Sequence, residues 1–256
     1  MALSGWDVKQ SMDGIDGVLN LAAASGENLA VVSDILTDAI SAFGDQASDA
    51  TRYADVLAAT ASNANTDVAR LGEAFKYVAP VAGALGYSLE HTAAALGLMA
   101  NAGVKGSAAG TALRGALTNL AKPTKEMQKA MKQLGINIKD SNGQMKPLDV
   151  LLRDLRGSFK KLTEDQKANY AATLFGKEAM AGMLAILNAT EADFNKLSTA
   201  IGNSEGKAKA MAEVMQNNLA GKLTNLKSAL EELAIKIYDA LEPALTWFVN
   251  AAQKLV

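Results

Sequence analysis

Cysteine is absent from this 256-residue sequence. Its absence excludes disulfide bonds, thiolate-bound zinc, iron–sulfur clusters and cysteine nucleophiles, and it suits a chain that folds in a reducing compartment. His91 is the single histidine of the sequence. Phe, Trp and Tyr together make up only 5% of the residues. The core therefore cannot rely on large aromatic side chains.

A dominant charge and long apolar runs are also lacking. The formal net charge is −2, and Lys and Arg are scattered among Asp and Glu, so we expect no basic stripe and no direct nucleic-acid binding. A membrane-spanning helix needs about 20 consecutive apolar residues, and no uncharged stretch of the sequence is that long. The first twenty residues include Asp7, Lys9, Asp13 and Asp16 instead of an apolar signal segment. The sequence therefore predicts a soluble chain.

Alanine is abundant, at roughly a fifth of all residues, well above average usage. Because alanine combines the highest helix propensity with a small side chain, this composition predicts closely packed helices. Apolar residues recur at helical spacing almost throughout, for example from about residue 27 to 43, where Ser25 is the expected cap. Further helix starts are expected at Ser88, at Thr163 with Gln166 in capping-box spacing, and at Thr190. Pro80 and Pro243 fall inside helical patterns, so we expect a kink or a break at each.

One segment departs from the helical pattern. Residues 136–146 alternate apolar and polar side chains around Asn142-Gly143, which is typical of a β-hairpin turn. The sequence therefore predicts an all-α fold, a multi-helix globular domain with one short β-hairpin and a long C-terminal heptad-patterned helix. We place the compact helical core at residues 1–218 and the C-terminal amphipathic helix at residues 219–256.

The charged and polar residues form no convincing catalytic pattern. His91 follows Glu90 directly, and neighbours in sequence point to different sides of a helix, so no carboxylate is predicted to orient this imidazole. We interpret His91 as a polar residue in the first turn of a helix. Asp34 and Asp38 share one helix face, and we interpret that pair as a solvated surface instead of an acid–base pair.

Two glycine-containing segments have some features of ligand-binding loops. In residues 103–115, no Gly is followed by Lys and then Ser or Thr at the spacing that a phosphate-binding loop requires. We therefore interpret Gly103 and Gly106 as a tight turn between two helices. Gly110 should then allow a second backbone to approach closely. The segment from Asp140 to Gly143 is similar to the middle of a calcium loop, but Ile138 would occupy the first ligand position without an oxygen. We therefore predict no catalytic residue, no metal and no cofactor.

The C-terminal segment carries an apolar stripe at heptad spacing, which we call the seam and predict to pack or bind a partner. A parallel pairing of identical seams would place Lys222, Lys227 and Lys236 at the flanking positions without acidic residues there. Since like charges disfavour such self-pairing, we expect the seam to pack on the preceding helices or on a different partner. The seam consists of Leu219, Leu223, Leu226, Leu230, Leu233 and Ile237.

A series of short runs, taken in order, resembles the core region of phage tail tape measure proteins. They are residues 20–26 (NLAAASG), 54–60 (ADVLAAT), 75–82 (FKYVAPVA), 94–106 (AALGLMANAGVKG), 110–114 (GTALR), 140–143 (DSNG), 174–176 (LFG) and 218–221 (NLAG). Each run alone is weak, but their order and spacing together are specific and cover almost the whole chain.

The resemblance implies a structural role in a phage tail. Members of this family are long helical rods that set tail length while tube subunits polymerise around them, and they leave the tube during infection, with a later role in DNA delivery. Expected partners are tail tube proteins, tail assembly chaperones and other copies of the chain, with membrane contact only after ejection. The expected location is the lumen of the virion tail tube, and the host cytoplasm during assembly.

Two other functions remain open from the residues alone. One is a muramidase-like helical enzyme acting on the cell envelope, which would need a carboxylic acid in an apolar pocket beside a saccharide cleft. The other is a helical adaptor unrelated to tails. On the resemblance, the 219–256 helix would lead into a rod that is absent from this sequence.

Overall fold

A computed structural model describes residues 6–217, together with residues 227, 228, 230, 232, 233, 236, 238, 241 and 242. The described residues are 79% helical, so the predicted all-α class is confirmed. Within the described residues a 3₁₀ turn (Ala47–Asp49) lies between the second and third of twelve α-helices. The helices are α1 Val8–Ser25, α2 Leu29–Phe43, α3 Ala50–Asn63, α4 Val68–Ala84, α5 Leu89–Asn101, α6 Gly106–Ala121, α7 Lys125–Leu134, α8 Leu148–Phe159, α9 Glu164–Phe175, α10 Lys177–Asn188, α11 Glu191–Gly202 and α12 Lys207–Asn217.

The chain divides into two compact units, Met1–Ala212 and Glu213–Val256. The first unit contains one continuous apolar core formed by helices from α1 to α12. In the second unit, the described residues after Asn217 are helical. The predicted division at residue 218, and the heptad helix beyond it, stay predictions because most of that segment lies outside the described residues.

Side-chain caps begin several helices where the sequence indicated them. The Ser88 hydroxyl accepts the amide of His91 at 3.2 Å, and the Thr190 hydroxyl accepts the amide of Asp193 at 3.0 Å. Thr163 and Gln166 form a reciprocal pair of side chain–backbone bonds of 3.0 and 3.4 Å. These bonds satisfy amides that have no partner inside a helix, so they fix where each helix starts.

The start of the chain differs from the expectation. Ser25 does not cap α2. It ends α1, where its hydroxyl donates to the Leu21 carbonyl at 2.6 Å. Asn28 caps α2 instead, accepting the Ala30 amide at 2.8 Å. Because Ser and Asn are both good caps and stand three residues apart, the sequence left two candidates, and the αL glycine at Gly26 decides between them by ending α1.

Pro80 does not break its helix, since α4 runs from Val68 to Ala84, and the alternative of a kink at this position stays a prediction. Proline cannot donate to the Lys76 carbonyl four residues earlier. Both residues are exposed, so that carbonyl lies on the surface where water can satisfy it. Pro243 lies outside the described residues, so its expected kink stays a prediction.

The predicted β-hairpin is not confirmed. Among the described residues, this segment forms a single antiparallel bridge between Lys139 and Met145. The Asp140 carboxylate accepts the amides of Asn142 and Gln144 at 2.8 and 2.9 Å. Because a side chain binds these amides and α8 begins at Leu148, the alternating pattern produces a turn without strands on either side.

Small residues bring the helices close together. A Cβ atom built on Gly110 of α6 would lie 2.8 Å from both the Cα and the carbonyl carbon of Ala74 in α4. A Cβ on Gly17 of α1 would lie 2.6 Å from the Ala50 carbonyl at the start of α3. Real Cβ atoms do not approach backbone so closely, so glycine is required at both crossings. The predicted close backbone approach at Gly110 is confirmed.

Of the helices that the structure describes, none is both long and apolar enough to cross a membrane.

Replacing Gly110 with Ala should lower the free energy of unfolding by about 1–3 kcal/mol, because the new methyl group forces α4 and α6 apart. Gly157→Ala is the matched control, since that glycine lies in α8 with nothing within 4 Å of its Cβ position. The control should raise the free energy of unfolding by about 0.5–1 kcal/mol through helix propensity. Urea denaturation followed by circular dichroism measures both changes. Equal effects of the two substitutions would contradict the close crossing.

Candidate functional site

The described part of the seam is exposed. Leu230 and Leu233 are helical, and their exposed fractions are 57% and 53%. Nearby, the Lys236 ammonium lies 2.6 Å from a carboxylate oxygen of Glu232. The other four seam residues, Leu219, Leu223, Leu226 and Ile237, lie outside the described residues, so the seam as a whole stays a prediction.

His91 contacts a carboxylate that the sequence did not indicate. Its Nδ1 atom lies 3.4 Å from Oδ1 of Asp149, at the start of α8. The pair lines a small cavity of about 100 Å³ between α5, α8 and α11, together with Glu90 and Ser198. A base and an orienting carboxylate are two parts of a catalytic triad, but no hydrogen bond joins Ser198 to His91 among the described residues.

The other charges around this cavity hold helices together. The Glu90 carboxylate accepts from Arg52 of α3 at 2.6 Å, which joins α3 to α5. Arg153 of α8 lies 3.3 Å from Glu191 of α11 and stacks over the ring of Phe194, 4.6 Å from its centroid. Each charged group here is thus paired across two helices, an arrangement typical of a structural contact.

Arg156 is the most deeply buried cation of the described chain, at 2% exposure. Its guanidinium donates to the carbonyl of Ala189, lies 3.4 Å from Glu191 and packs over Phe194. A buried charge is tolerated only with such partners. Arg156 therefore fastens α8 to the segment that joins α10 and α11.

Asp55 is a buried acid that sequence reasoning missed. It lies in α3 with 3% exposure, and its two carboxylate oxygens accept the amides of Gly206 and Ala208, each at 2.8 Å. The carboxylate therefore satisfies free amides at the start of α12 from 153 residues away. The only signal in the sequence was a lone acidic residue within the apolar run 54–60.

The remaining candidates have structural roles. Gly103 and Gly106 have φ angles of 91° and 57°, so the predicted tight turn is confirmed. Asp34 and Asp38 are both exposed, which agrees with a solvated face. No group of three or more acidic or histidine side chains in the described part of the chain is arranged to hold a metal ion.

Two phenols titrate abnormally because they are buried. Burial raises the pKa of Tyr87 to about 12. Burial, and then the hydrogen bond that the Tyr53 hydroxyl donates to Asp45 at 2.8 Å, raise the pKa of Tyr53 well above its usual value. Both phenols are neutral at physiological pH, as expected for side chains that pack in the core.

Replacing Asp55 with Ala should lower the free energy of unfolding by about 3 kcal/mol, because two amides lose charge-assisted bonds in a buried place. Asp67→Ala is the control, since Asp67 caps α4 through one bond to the Arg70 amide and its side chain is 47% exposed. That loss should cost about 1 kcal/mol. Amide hydrogen exchange in α12 should accelerate only in the Asp55 variant. Unchanged exchange in α12 would show that Asp55 does not hold it.

Comparison with known proteins identifies the family. The model of the phage-related minor tail protein family matches residues 1–176. The tape measure protein of Pneumococcus phage Dp-1 is 44% identical over 256 residues, which cover 100% of this chain and 22% of that protein. A probable tape measure protein of Escherichia phage P2 is 32% identical over 259 residues, covering 100% of this chain and 32% of that protein.

The chain thus spans only between 22% and 32% of the length of these relatives. No solved structure matches it. The resemblance to tape measure proteins that the sequence indicated is confirmed. Since the family model covers well over half of the residues, this chain belongs to the phage-related minor tail protein family and is a phage tail protein.

Proposed function

We propose that this chain is the globular core of a tape measure protein, which sets the length of the tail and scaffolds assembly of the tail tube. The observation that carries this proposal is the 44% identity to a tape measure protein along the entire chain. The same alignment leaves most of that relative outside the matched region. The core then has a task other than measuring, such as anchoring the rod or docking partners.

A protein that measures length needs a long rod and no catalytic site. A helix rises about 1.5 Å per residue, so a long helical rod fixes a distance through its number of residues. The proposed location is the lumen of the tail tube, after assembly in the host cytoplasm. Participation in DNA delivery, with membrane contact after ejection, belongs to the same proposal.

The seam is the proposed contact with other tail components. Burying one leucine side chain is worth roughly 1.5–3 kcal/mol, so leucines that are exposed in the single chain favour a partner. Leu230 and Leu233 are more than half exposed in the single chain. Lys222, Lys227 and Lys236 flank the seam in sequence, which favours an acidic surface on a tube subunit or an assembly chaperone over a second identical seam.

We also propose that the chain is not an enzyme. A muramidase needs a protonated carboxylic acid in an apolar pocket. At the described cavity, the Glu90 carboxylate lies 2.6 Å from the Arg52 guanidinium, so it is held as a carboxylate in an ion pair. Asp149 has His91 as its nearest partner at 3.4 Å, and that carboxylate oxygen accepts no hydrogen bond from the described residues. Release of soluble fragments from peptidoglycan by the purified chain would favour the muramidase alternative. No observation favours the second alternative, a helical adaptor unrelated to tails.

The assembly role can be tested in a phage whose full-length protein contains this chain. Changing Leu230 and Leu233 together to Asp should prevent tail formation, because two charges in the seam oppose binding of an apolar partner surface. Electron microscopy of lysates counts the tails.

The matched control changes Val214 and Tyr238 to Asp. Both side chains are exposed, at 69% and 64%, both lie off the heptad positions of the seam, and the charge change is the same. Tails should form normally with this control. Normal tail numbers with the seam variant would contradict the proposed contact.

A further inference from the structure

Helix α7 places on one face three lysines that are separated in the sequence. Lys125, Lys129 and Lys132 are all exposed. At 100° per residue their spacings of four and three place them within an arc of about 60° on one face. Lys122, also exposed, stands three residues earlier at the end of α6. We call Lys125, Lys129 and Lys132 the lysine stripe.

The opposite face of α7 is fixed in the core. Met127, Ala130 and Met131 are 5% to 6% exposed, and Thr124 caps the helix. A helix that binds a lipid surface must insert its apolar face between the lipids. Because the apolar face of α7 is already buried in its own domain, the stripe is held rigidly outward and is not a lipid-inserting helix.

The stripe has no ion-pair partner in the described part of the chain, in contrast to most of the cations around the cavity at α5, α8 and α11. Glu126 is the one acidic residue on α7, and it forms no ion pair with the lysines there. Like charges spaced three and four residues apart on a helix repel each other. A bound polyanion would relieve that repulsion.

The residues around the stripe indicate the class of anion. Every exposed residue of α7 is polar, namely Lys125, Glu126, Gln128, Lys129, Lys132 and Gln133. A protein partner would ordinarily find an apolar centre with aromatic residues or Arg, whereas Lys is depleted in such interfaces. Stacking on the bases of a single strand would need aromatic rings, and α7 exposes none. The face offers point charges suited to phosphate groups.

From the sequence we expected no direct nucleic-acid binding, because the basic residues looked scattered. The folded α7 removes that premise, and we propose that the lysine stripe binds the phosphate backbone of duplex DNA without reading its sequence. The three lysines span about 10 Å along the helix, comparable to about three phosphates of one strand at 3.4 Å each. This inference does not depend on the proposed function.

The test measures binding of the 256-residue chain to a fluorescently labelled DNA duplex of random sequence. Fluorescence anisotropy is recorded between about 20 and 200 mM salt. Contact with three or four phosphates predicts a slope of log Kobs against log salt between about −2.7 and −3.6. The triple variant Lys125→Gln, Lys129→Gln and Lys132→Gln should lose nearly all of that salt-dependent binding, because each removed lysine reduces the slope by about 0.9.

The control variant changes Lys76, Lys196 and Lys209 to Gln. These lysines are exposed on α4, α11 and α12 without an ion pair among the described residues, so the net charge changes equally. The control should bind DNA like the unchanged chain, and circular dichroism should show intact helices in both variants. The proposal is overturned if the unchanged chain shows no salt-dependent binding, or if both variants lose it equally. Binding through the stripe to phosphatidylserine vesicles or polyglutamate, but not to the duplex, would overturn it too.

Discussion

The contact of Gly110 with the backbone of Ala74 is the constraint on which the rest of the first unit depends. With no side chain between them, α4 and α6 approach at backbone distance. Helix α2 packs on α4 in a similar way, since a Cβ on Gly83 would lie 2.5 Å from the Ala42 carbonyl oxygen. Alanine contributes little apolar area per residue. Close approach compensates, because it increases the number of contacts that each small side chain makes.

Ion pairs and buried polar groups add to the helix packing that the small residues allow. Asp55 holds the start of α12, Arg156 holds α8 to the segment before α11, and Arg52 joins α3 to α5 through Glu90. Each of these charged groups has a partner on another element, as expected for a structural module. The described charges that lack such partners include those of the lysine stripe, on the outer face of α7. Charged groups inside the first unit thus hold its helices together, whereas the lysines on its surface are available to bind partners.

Sequence reasoning succeeded where structure is local. The caps at Ser88, Thr163 and Thr190 depend on residues three apart, so their patterns could be read directly. It failed where distant residues meet, because nothing in a single sequence links Asp55 to Ala208 or His91 to Asp149. The hairpin was overpredicted since alternation and Asn-Gly describe the turn but not the Asp140 carboxylate that binds its amides.

The central claim is that this chain is the core of a protein whose length sets the length of a tail. The most direct measurement is tail length in a phage carrying in-frame deletions in the helical part of the full-length protein, outside residues 1–256. A deletion of about 100 residues should shorten the tail by about 150 Å, at 1.5 Å per helical residue. Electron micrographs showing tails of unchanged length would contradict the account.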